Sequence, residues 1–186
     1  MTPVRTGYVH RMTDNQVTEI DDAPSRRIEE VLDGVRVAML TTDTVTGLEA
    51  RPVTIVEQED DTLWFLVSRS AHWVQAAAAS PRDSLLAFED ARHASYACLT
   101  GRLRLVDDPA RIEALWTAPA RAYFDGPGDP DVVALALDVT GGRWWDGPDG
   151  RVAQSLALAR AIVTHDPSKV GEVGTVSTRG LPQTAD

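Results

Sequence analysis

The sequence predicts a mainly β protein, in which five or six antiparallel strands form a small closed barrel with short flanking helices. Between residues 35 and 146, apolar and polar side chains alternate in runs that are rich in β-branched and aromatic residues, a pattern typical of half-buried strands. Short segments containing Gly, Pro and Asp separate these runs and predict turns. The helical patterns are short, and closure into a barrel would remove the exposed edges of such strands.

The length indicates one domain. A chain of 186 residues typically buries roughly 70% of the surface that its unfolded form exposes. We expect residues 1–24 to form a loosely attached N-terminal arm, residues 25–178 to form the barrel domain, and residues 179–186 to be a polar tail.

The first half of the domain is predicted to be one helix followed by three strands of a meander. Residues 25–34 place Ile28, Val31 and Leu32 on one face and end at Gly34, as expected of a short helix. The strands are predicted at residues 35–42, 48–58 and 62–68, with the turns DTVTG and EDD between them.

The second half is predicted to alternate helices with three further strands. Gly101 lies inside one of these strands and indicates a bulge or a close approach of another group. An acidic residue before Pro109 predicts a helix start. The predicted helices are residues 70–80, 108–116 and 151–167, and the predicted strands are residues 84–90, 96–108 and 132–146.

Composition excludes several classes of partner. The formal net charge of −10 disfavours binding to phosphate backbones, and no basic stripe offsets it. No apolar run approaches the roughly 20 residues of a membrane helix, and the N-terminus lacks the apolar segment of a signal peptide. We therefore expect a cytoplasmic protein without nucleic-acid or membrane partners.

The sequence contains no clear motif of a catalytic or metal-binding site. The four histidines are too scattered for a metal signature, and neither CxxC nor HExxH occurs. Cys98 is the only cysteine and is expected to be a buried small residue. Lys169 is the only lysine, so an anion would be held by arginine or by backbone N–H groups. We expect no metal site and name no catalytic side chain.

Several segments, taken in order, resemble one known family. They are VAMLTT, RPV, LWFLVSRS, YACLTGRLRLVDDPARIEALW, DPDVVALALDVTGGRWWD and ALARAIVT. This order resembles the general stress protein 26 branch of the pyridoxamine 5′-phosphate oxidase-like, FMN-binding split barrels, over residues 25–178. The resemblance implies a homodimer of six-stranded antiparallel split β-barrels, with a flavin in each of two clefts at the subunit interface.

The resemblance also implies which residues contact the cofactor. The flavin ring is expected at Arg51, Pro52, Val53 and Thr54, where a proline within a strand marks an edge or opening of the sheet. Its phosphate is expected at Ser68, Arg69 and Ser70, where a strand meets a helix N-terminus. Arg51 and Arg69 would add charged contacts to the phosphate. Further expected contacts are Trp73, Trp116, which would also support the dimer, and either Trp145 or Trp144.

One departure from the family pattern concerns the phosphate. The family usually has Ser-x-Lys at the helix start, and the matching positions here hold Ala71 and Trp73. If one residue is deleted, Ser70 takes the place of the serine, but the lysine is still missing. Either arginine replaces the lysine, or flavin binding is weak, altered or absent. His72 is a further candidate to face the phosphate.

The resemblance implies an FMN-dependent oxidoreductase, in which the flavin carries the chemistry and NADH or NADPH is a candidate electron donor. Two alternatives remain. One is a reductase that uses the deazaflavin F420, and the other is a noncatalytic flavin-binding stress protein.

Overall fold

The computed structural model describes residues 25–44, 47–90, 94–147 and 172–178. Six long strands dominate this part of the chain, in agreement with the prediction, and three short strands accompany them. In chain order the strands are β1 (Ser25–Arg27), β2 (Val37–Thr44), β3 (Gly47–Thr54), β4 (Glu57–Glu59), β5 (Thr62–Ser68), β6 (Arg82–Asp90), β7 (Ser95–Val106), β8 (Val132–Asp146) and β9 (Glu172–Ser177). The helices are α1 (Ile28–Val31), α2 (His72–Ala79) and α3 (Pro109–Ala114), with a 3-10 helix at Ala118–Ala122.

All nine strands belong to one sheet. Its main path runs β1-β9-β8-β7-β6-β2-β3, and β5 pairs with both β8 and β4. The two halves of the long strand β8 have different partners, since residues 132–138 pair with β5 and residues 142–146 pair with β9. The six long strands pair antiparallel throughout.

The barrel is split, which corrects the closed barrel expected from the strand pattern and agrees with the resemblance. Within the described residues, β3 pairs with β2 alone. The split arises just after β3. The N–H of Ile55 still donates to the carbonyl of Arg36, the residue before β2, at 2.9 Å. The N–H of the next residue, Val56, donates instead to the carbonyl of Trp64 in β5, at 2.9 Å. The strand predicted at residues 48–58 is therefore two strands with different neighbours.

The N-terminal region of the domain differs from its prediction as well. The helix predicted at residues 25–34 is only the four residues of α1, although Gly34 ends the segment with a positive φ of 72°, as expected of a stop. Residues before it form β1, which pairs parallel with β9. β9 lies in a segment for which no strand was predicted. The predicted helix at 151–167, the arm and the tail lie outside the described residues.

The remaining elements of the second half are confirmed, with ends that differ by a few residues. α3 begins at Pro109, and the carboxylate of Asp108 accepts from the N–H of Ala110 at 3.0 Å, so the acidic residue before proline does start a helix. The register of β7 and β8 shifts between Thr100 and Gly101, as the glycine predicted.

Two apolar clusters hold the sheet together. The main cluster lies inside the barrel and includes Leu40, Phe65, Leu99 and Trp144, and α2 contributes Val74 and Ala77 to it. The second cluster lies between β5, β8 and α3, and contains Trp64, Ile112, Leu115, Val132, Ala134 and Ala136. None of the helices in the described ranges is long and apolar enough to cross a membrane.

Candidate functional site

The free edge of β3 forms one wall of the candidate site. Arg36 and Ile55 are a hydrogen-bonded pair, and such pairs recur every second residue along an antiparallel ladder. The register pairs Val53 with Ala38 and Arg51 with Leu40, so the main-chain groups of Val53 and Arg51 point toward β2. Those of Ala50, Pro52 and Thr54 point toward the free edge.

Pro52 fits this position because it has no N–H to offer a neighbouring strand. The side chains of β3 alternate as predicted. Val53 is buried in the main core, with 7% exposure, and Arg51 lies on the same face, while Pro52 and Thr54 are exposed on the other.

Arg51 is the centre of a polar group that joins β2, β3 and α2. We call Thr42, Glu49, Arg51, His72 and Trp73 the Arg51 cluster. The guanidinium donates to the Thr42 hydroxyl at 2.6 Å and to the Glu49 carbonyl at 2.9 Å, and its Nη2 lies 3.5 Å from the Glu49 carboxylate. It also stacks on the ring of Trp73, 4.6 Å from the centroid.

These contacts leave little of Arg51 open to solvent, since its side chain is 14% exposed. Burial lowers the pKa of the guanidinium, against the raising effect of Glu49, and the group stays charged because its ordinary value is so high. On the solvent side, the Nε2 of His72 lies 3.0 Å from the Glu49 carboxylate. Arg51 and Trp73, two predicted cofactor residues, are thus in contact, and the carboxylate of Glu49 lies beside Arg51.

The turn formed by Ser68, Arg69 and Ser70, here the 68–70 turn, is the predicted phosphate site. Its donors are directed at Asp131, the residue that precedes β8. The Ser68 hydroxyl donates to the Asp131 carboxylate at 2.6 Å and the Ser70 N–H donates to it at 2.9 Å. The N–H of Arg69 donates to the Asp131 carbonyl at 2.6 Å. The Ser68 hydroxyl first, and then the Ser70 N–H, lower the pKa of the Asp131 carboxyl.

The side chain of Arg69 is engaged in the same way. Its two terminal nitrogens donate to both oxygens of Asp107, at 2.8 and 2.6 Å, which is the bidentate geometry that arginine favours with carboxylates. Its Nε donates to the Pro130 carbonyl at 3.2 Å. The Arg69 hydrogen bond is the main reason that the pKa of Asp107 lies below its usual range.

The predicted tryptophans lie in different environments. Trp144 is 2% exposed and belongs to the main core, so of the pair only Trp145, which is half-buried, faces outward. Neighbouring residues of a regular strand point to opposite faces, so at most one of the two can pack inward. Trp116 packs against the second apolar cluster, between β5, β8 and α3.

Sequence reasoning missed four residues of the site, namely Thr42, Glu49, Asp107 and Asp131. Asp131 had a recognisable position, since it directly precedes a predicted strand. The register pairs Ser68 with Val132, so an antiparallel pairing of β5 with β8 would have placed Asp131 beside the 68–70 turn. No group of three or more potential metal ligands occurs in the part of the chain that the structure describes.

An exposed apolar face lies beside the free edge, on the outer side of the sheet. It carries four of the five exposed large apolar side chains of the described residues: Val37 at 59%, Met39 at 44%, Leu48 at 78% and Tyr96 at 48% exposure. Pro52 continues this outer face on β3, paired with Met39. Cys98 lies on it too, half-buried, and burial raises the pKa of its thiol, which disfavours the reactive thiolate.

Comparison with known proteins adds a family match and several similar structures. The family model described as pyridoxamine 5′-phosphate oxidase like matches residues 23–168. A structure described as a general stress protein 26 from a Jannaschia species shares 26% identity, with a TM-score of 0.62, and the match covers 80% of this chain and 93% of that one. No curated protein matches the chain at a significant level.

Two further structures come from Xanthomonas. One is described as a general stress family protein of Xanthomonas campestris, at 30% identity and a TM-score of 0.56, covering 64% of this chain and 84% of that one. The other is described as a general stress FMN/FAD binding protein of Xanthomonas citri, at 30% identity and a TM-score of 0.56, covering 62% of this chain and 83% of that one.

Proposed function

The chain belongs to the pyridoxamine 5′-phosphate oxidase-like family, and on that premise we propose that it is a flavin-binding protein of the oxidoreductase type. The single observation that carries the proposal is the free edge of β3, where Ala50, Pro52 and Thr54 present main-chain groups without a partner strand in the described part of the sheet. The flavin-binding description of the Xanthomonas citri relative supports it.

The isoalloxazine ring fits this edge by its chemistry. The ring is flat, and its pyrimidine side carries carbonyl acceptors and an N–H donor, which match the alternating N–H and C=O groups of an unpaired strand. Arg51 and Trp73 add a cationic and an aromatic surface at the adjoining helix start. The predicted phosphate site is different, because the donors of the 68–70 turn already bind Asp131 and Asp107.

When bound, a flavin supplies hydride and electron transfer, and the protein supplies position and electrostatics. The role that we assign to this chain is to hold the ring against β3 and to keep Arg51 charged and oriented through Thr42 and Glu49. FMN is the cofactor that the sequence predicts. The alternatives are a reductase that uses F420 and a noncatalytic flavin-binding protein, and the experiment below distinguishes them.

We predict that the purified protein binds FMN or riboflavin and quenches its fluorescence, and that NADH or NADPH bleaches the bound flavin under anaerobic conditions. Titration followed by visible absorbance and fluorescence checks the first part, and stopped-flow absorbance checks the second. Absence of spectral change with both flavins would contradict flavin binding. A deazaflavin spectrum in the purified protein would favour F420, and full occupancy without reduction would favour the noncatalytic binder.

We also propose that the protein is a homodimer that uses the exposed apolar face. Four large apolar side chains on this face are exposed, as is typical of an interface. The free β3 edge of each subunit would then lie near the subunit contact, with Trp145 on the outer face of β8 and Trp116 near the second cluster as residues that the partner can reach.

The Met39→Glu variant tests this assembly. We predict a dimer for the wild type at micromolar concentration and a rise in its dissociation constant of at least about a hundredfold for the variant, because the new carboxylate would be buried without a partner. Gln75→Glu, on the exposed side of α2, adds the same charge away from the face and should leave the dimer intact. Light scattering that gives a monomer mass for the wild type would contradict the proposal.

A further inference from the structure

The 68–70 turn has the donors of an anion site, and an anion of the chain itself already occupies them. Ser68 and Ser70 both donate to the Asp131 carboxylate, at 2.6 and 2.9 Å, and their hydroxyl oxygens lie 2.8 Å apart, within hydrogen-bond distance. Two donors from one turn therefore converge on one carboxylate, which is the arrangement expected of a bound phosphate oxygen at such a position.

The loop before β8 holds Asp131 in place. The Asp129 carboxylate accepts from the Asp131 N–H at 2.9 Å and from the Asp125 N–H at 3.1 Å. The N–H of Arg69 and the Asp131 carbonyl connect the two segments again, at 2.6 Å. Asp131 is thus fixed from both sides, and a ligand that displaces it must break several hydrogen bonds.

The charges of the Arg51 cluster and of the 68–70 turn oppose a phosphate as well. Arg51 pairs with Glu49, and Arg69 pairs with Asp107, while Asp131 is bound by neutral donors. Two arginines therefore face three carboxylates, and these five groups together carry a net charge of −1. A phosphate carries up to two negative charges near neutral pH, so its approach would be repelled unless one of these carboxylates moved away.

We propose that the 68–70 turn is closed by Asp131 as an internal anion and does not recognise phosphate, so that a flavin at the free edge of β3 is selected by its ring and not by its phosphate. The ligand class is then the isoalloxazine ring with an uncharged or solvent-directed side chain. This inference rests on the proposed function for its ligand. The occupation of the turn by Asp131 can be tested without any flavin.

The flavin-free test is the titration of the Asp131 carboxyl, followed by carbon-detected NMR. We expect its pKa to lie below the ordinary value of about 3.9, because Ser68 and Ser70 favour the charged form. A group with a depressed folded pKa contributes stability above its unfolded pKa and loses it as the pH falls through the folded value. An ordinary midpoint for Asp131 would overturn the inference, whether or not flavin binds.

The ligand test compares FMN with riboflavin, which differ only in the phosphate. For the wild type we expect the two dissociation constants to agree within about threefold. A turn that bound the phosphate would favour FMN by roughly ten- to a hundredfold, as charge-assisted hydrogen bonds do. Such a preference in the wild type would overturn the inference. If neither flavin binds, the proposed function fails, and the Asp131 titration still decides whether the turn is closed.

Two variants open the turn by different degrees. Asp131→Ala frees both donors and removes one charge, so FMN affinity should rise at least about tenfold while riboflavin affinity stays unchanged. Asp131→Asn keeps an acceptor for Ser68 or Ser70 and protects the fold, and it should give a smaller gain for FMN. Asp83→Ala, which removes a carboxylate that is 91% exposed on β6, controls for net charge and should change neither affinity. Equal FMN affinities in all four proteins would contradict the role of Asp131.

Discussion

Replacing Gly101 with alanine should destabilise the fold by about 3 kcal/mol or more, at the upper end of the range for overpacking substitutions. A Cβ at this position would clash with the carbonyl oxygen of Asp138 and lie 3.0 Å from the Cα of Val139. Both obstacles are backbone atoms of β8, which cannot rotate away as a side chain can. The bulge between Thr100 and Gly101 therefore depends on the absence of a side chain.

Gly141→Ala provides the matched control for this prediction. Gly141 lies on β8, across from Thr100, and a Cβ there would meet nothing closer than the Thr100 hydroxyl at 3.9 Å. We expect a change within about 1 kcal/mol for it. Chemical denaturation of both variants gives the comparison, and similar unfolding midpoints would show that β7 and β8 are not in close contact at Gly101.

Replacing Trp144 with alanine should cost about 3 to 5 kcal/mol of stability, as expected for the removal of a fully buried large aromatic side chain. The ring is 2% exposed, its Nε1 donates to the Thr175 carbonyl of β9 at 3.2 Å, and the Arg26 guanidinium of β1 lies 3.6 Å from its centroid. The substitution removes core packing and the side-chain contacts that Trp144 makes with β1 and β9, while the backbone ladder between β8 and β9 remains.

Tyr123→Ala is the control for Trp144→Ala, because it removes a large aromatic side chain that is 81% exposed. Its effect should lie within about 0.5 kcal/mol. Thermal or chemical unfolding checks both variants. A Trp144→Ala protein with the stability of the wild type would mean that Trp144 does not pack in the core.

The long strands could be predicted from sequence because each carries its own alternating pattern. β5 and β8 were predicted with the observed bounds, residues 62–68 and 132–146, and Gly101 indicated the bulge. The split could not be predicted from this pattern. Residues 48–58 contain no turn signal of Gly, Asn or Asp, while their hydrogen bonds change from β2 to β5 at Ile55 and Val56.

The pairing of β1 with β9 illustrates a second limit of prediction from sequence. Ser25 pairs with Thr175, and neither three-residue β1 nor the Gly-containing β9 has a clear pattern of its own. β9 pairs with β8, and Arg26 of β1 stacks on Trp144 and forms an ion pair with Asp146 at 2.5 Å. Such contacts join residues more than a hundred positions apart, and local periodicity does not reveal them.

The candidate site was predicted in a similar, partial way. The family resemblance identified Arg51 and Trp73, which do contact each other, and it identified the 68–70 turn. It did not reveal that Asp107 and Asp131 occupy the donors of that turn. The chain has 28 acidic residues, and only the register of β5 against β8 determines which carboxylate reaches Ser68.

Amide hydrogen exchange, measured by NMR with and without riboflavin, tests the flavin site at the β3 edge most directly. The amides of Ala50 and Thr54 point to the free edge, whereas those of Arg51 and Val53 point toward β2. We predict that saturating riboflavin slows exchange at Ala50 and Thr54 by at least about tenfold and changes Arg51 and Val53 little, because only the former gain new acceptors. Unchanged exchange at Ala50 and Thr54 under saturating riboflavin would contradict a flavin site at this edge.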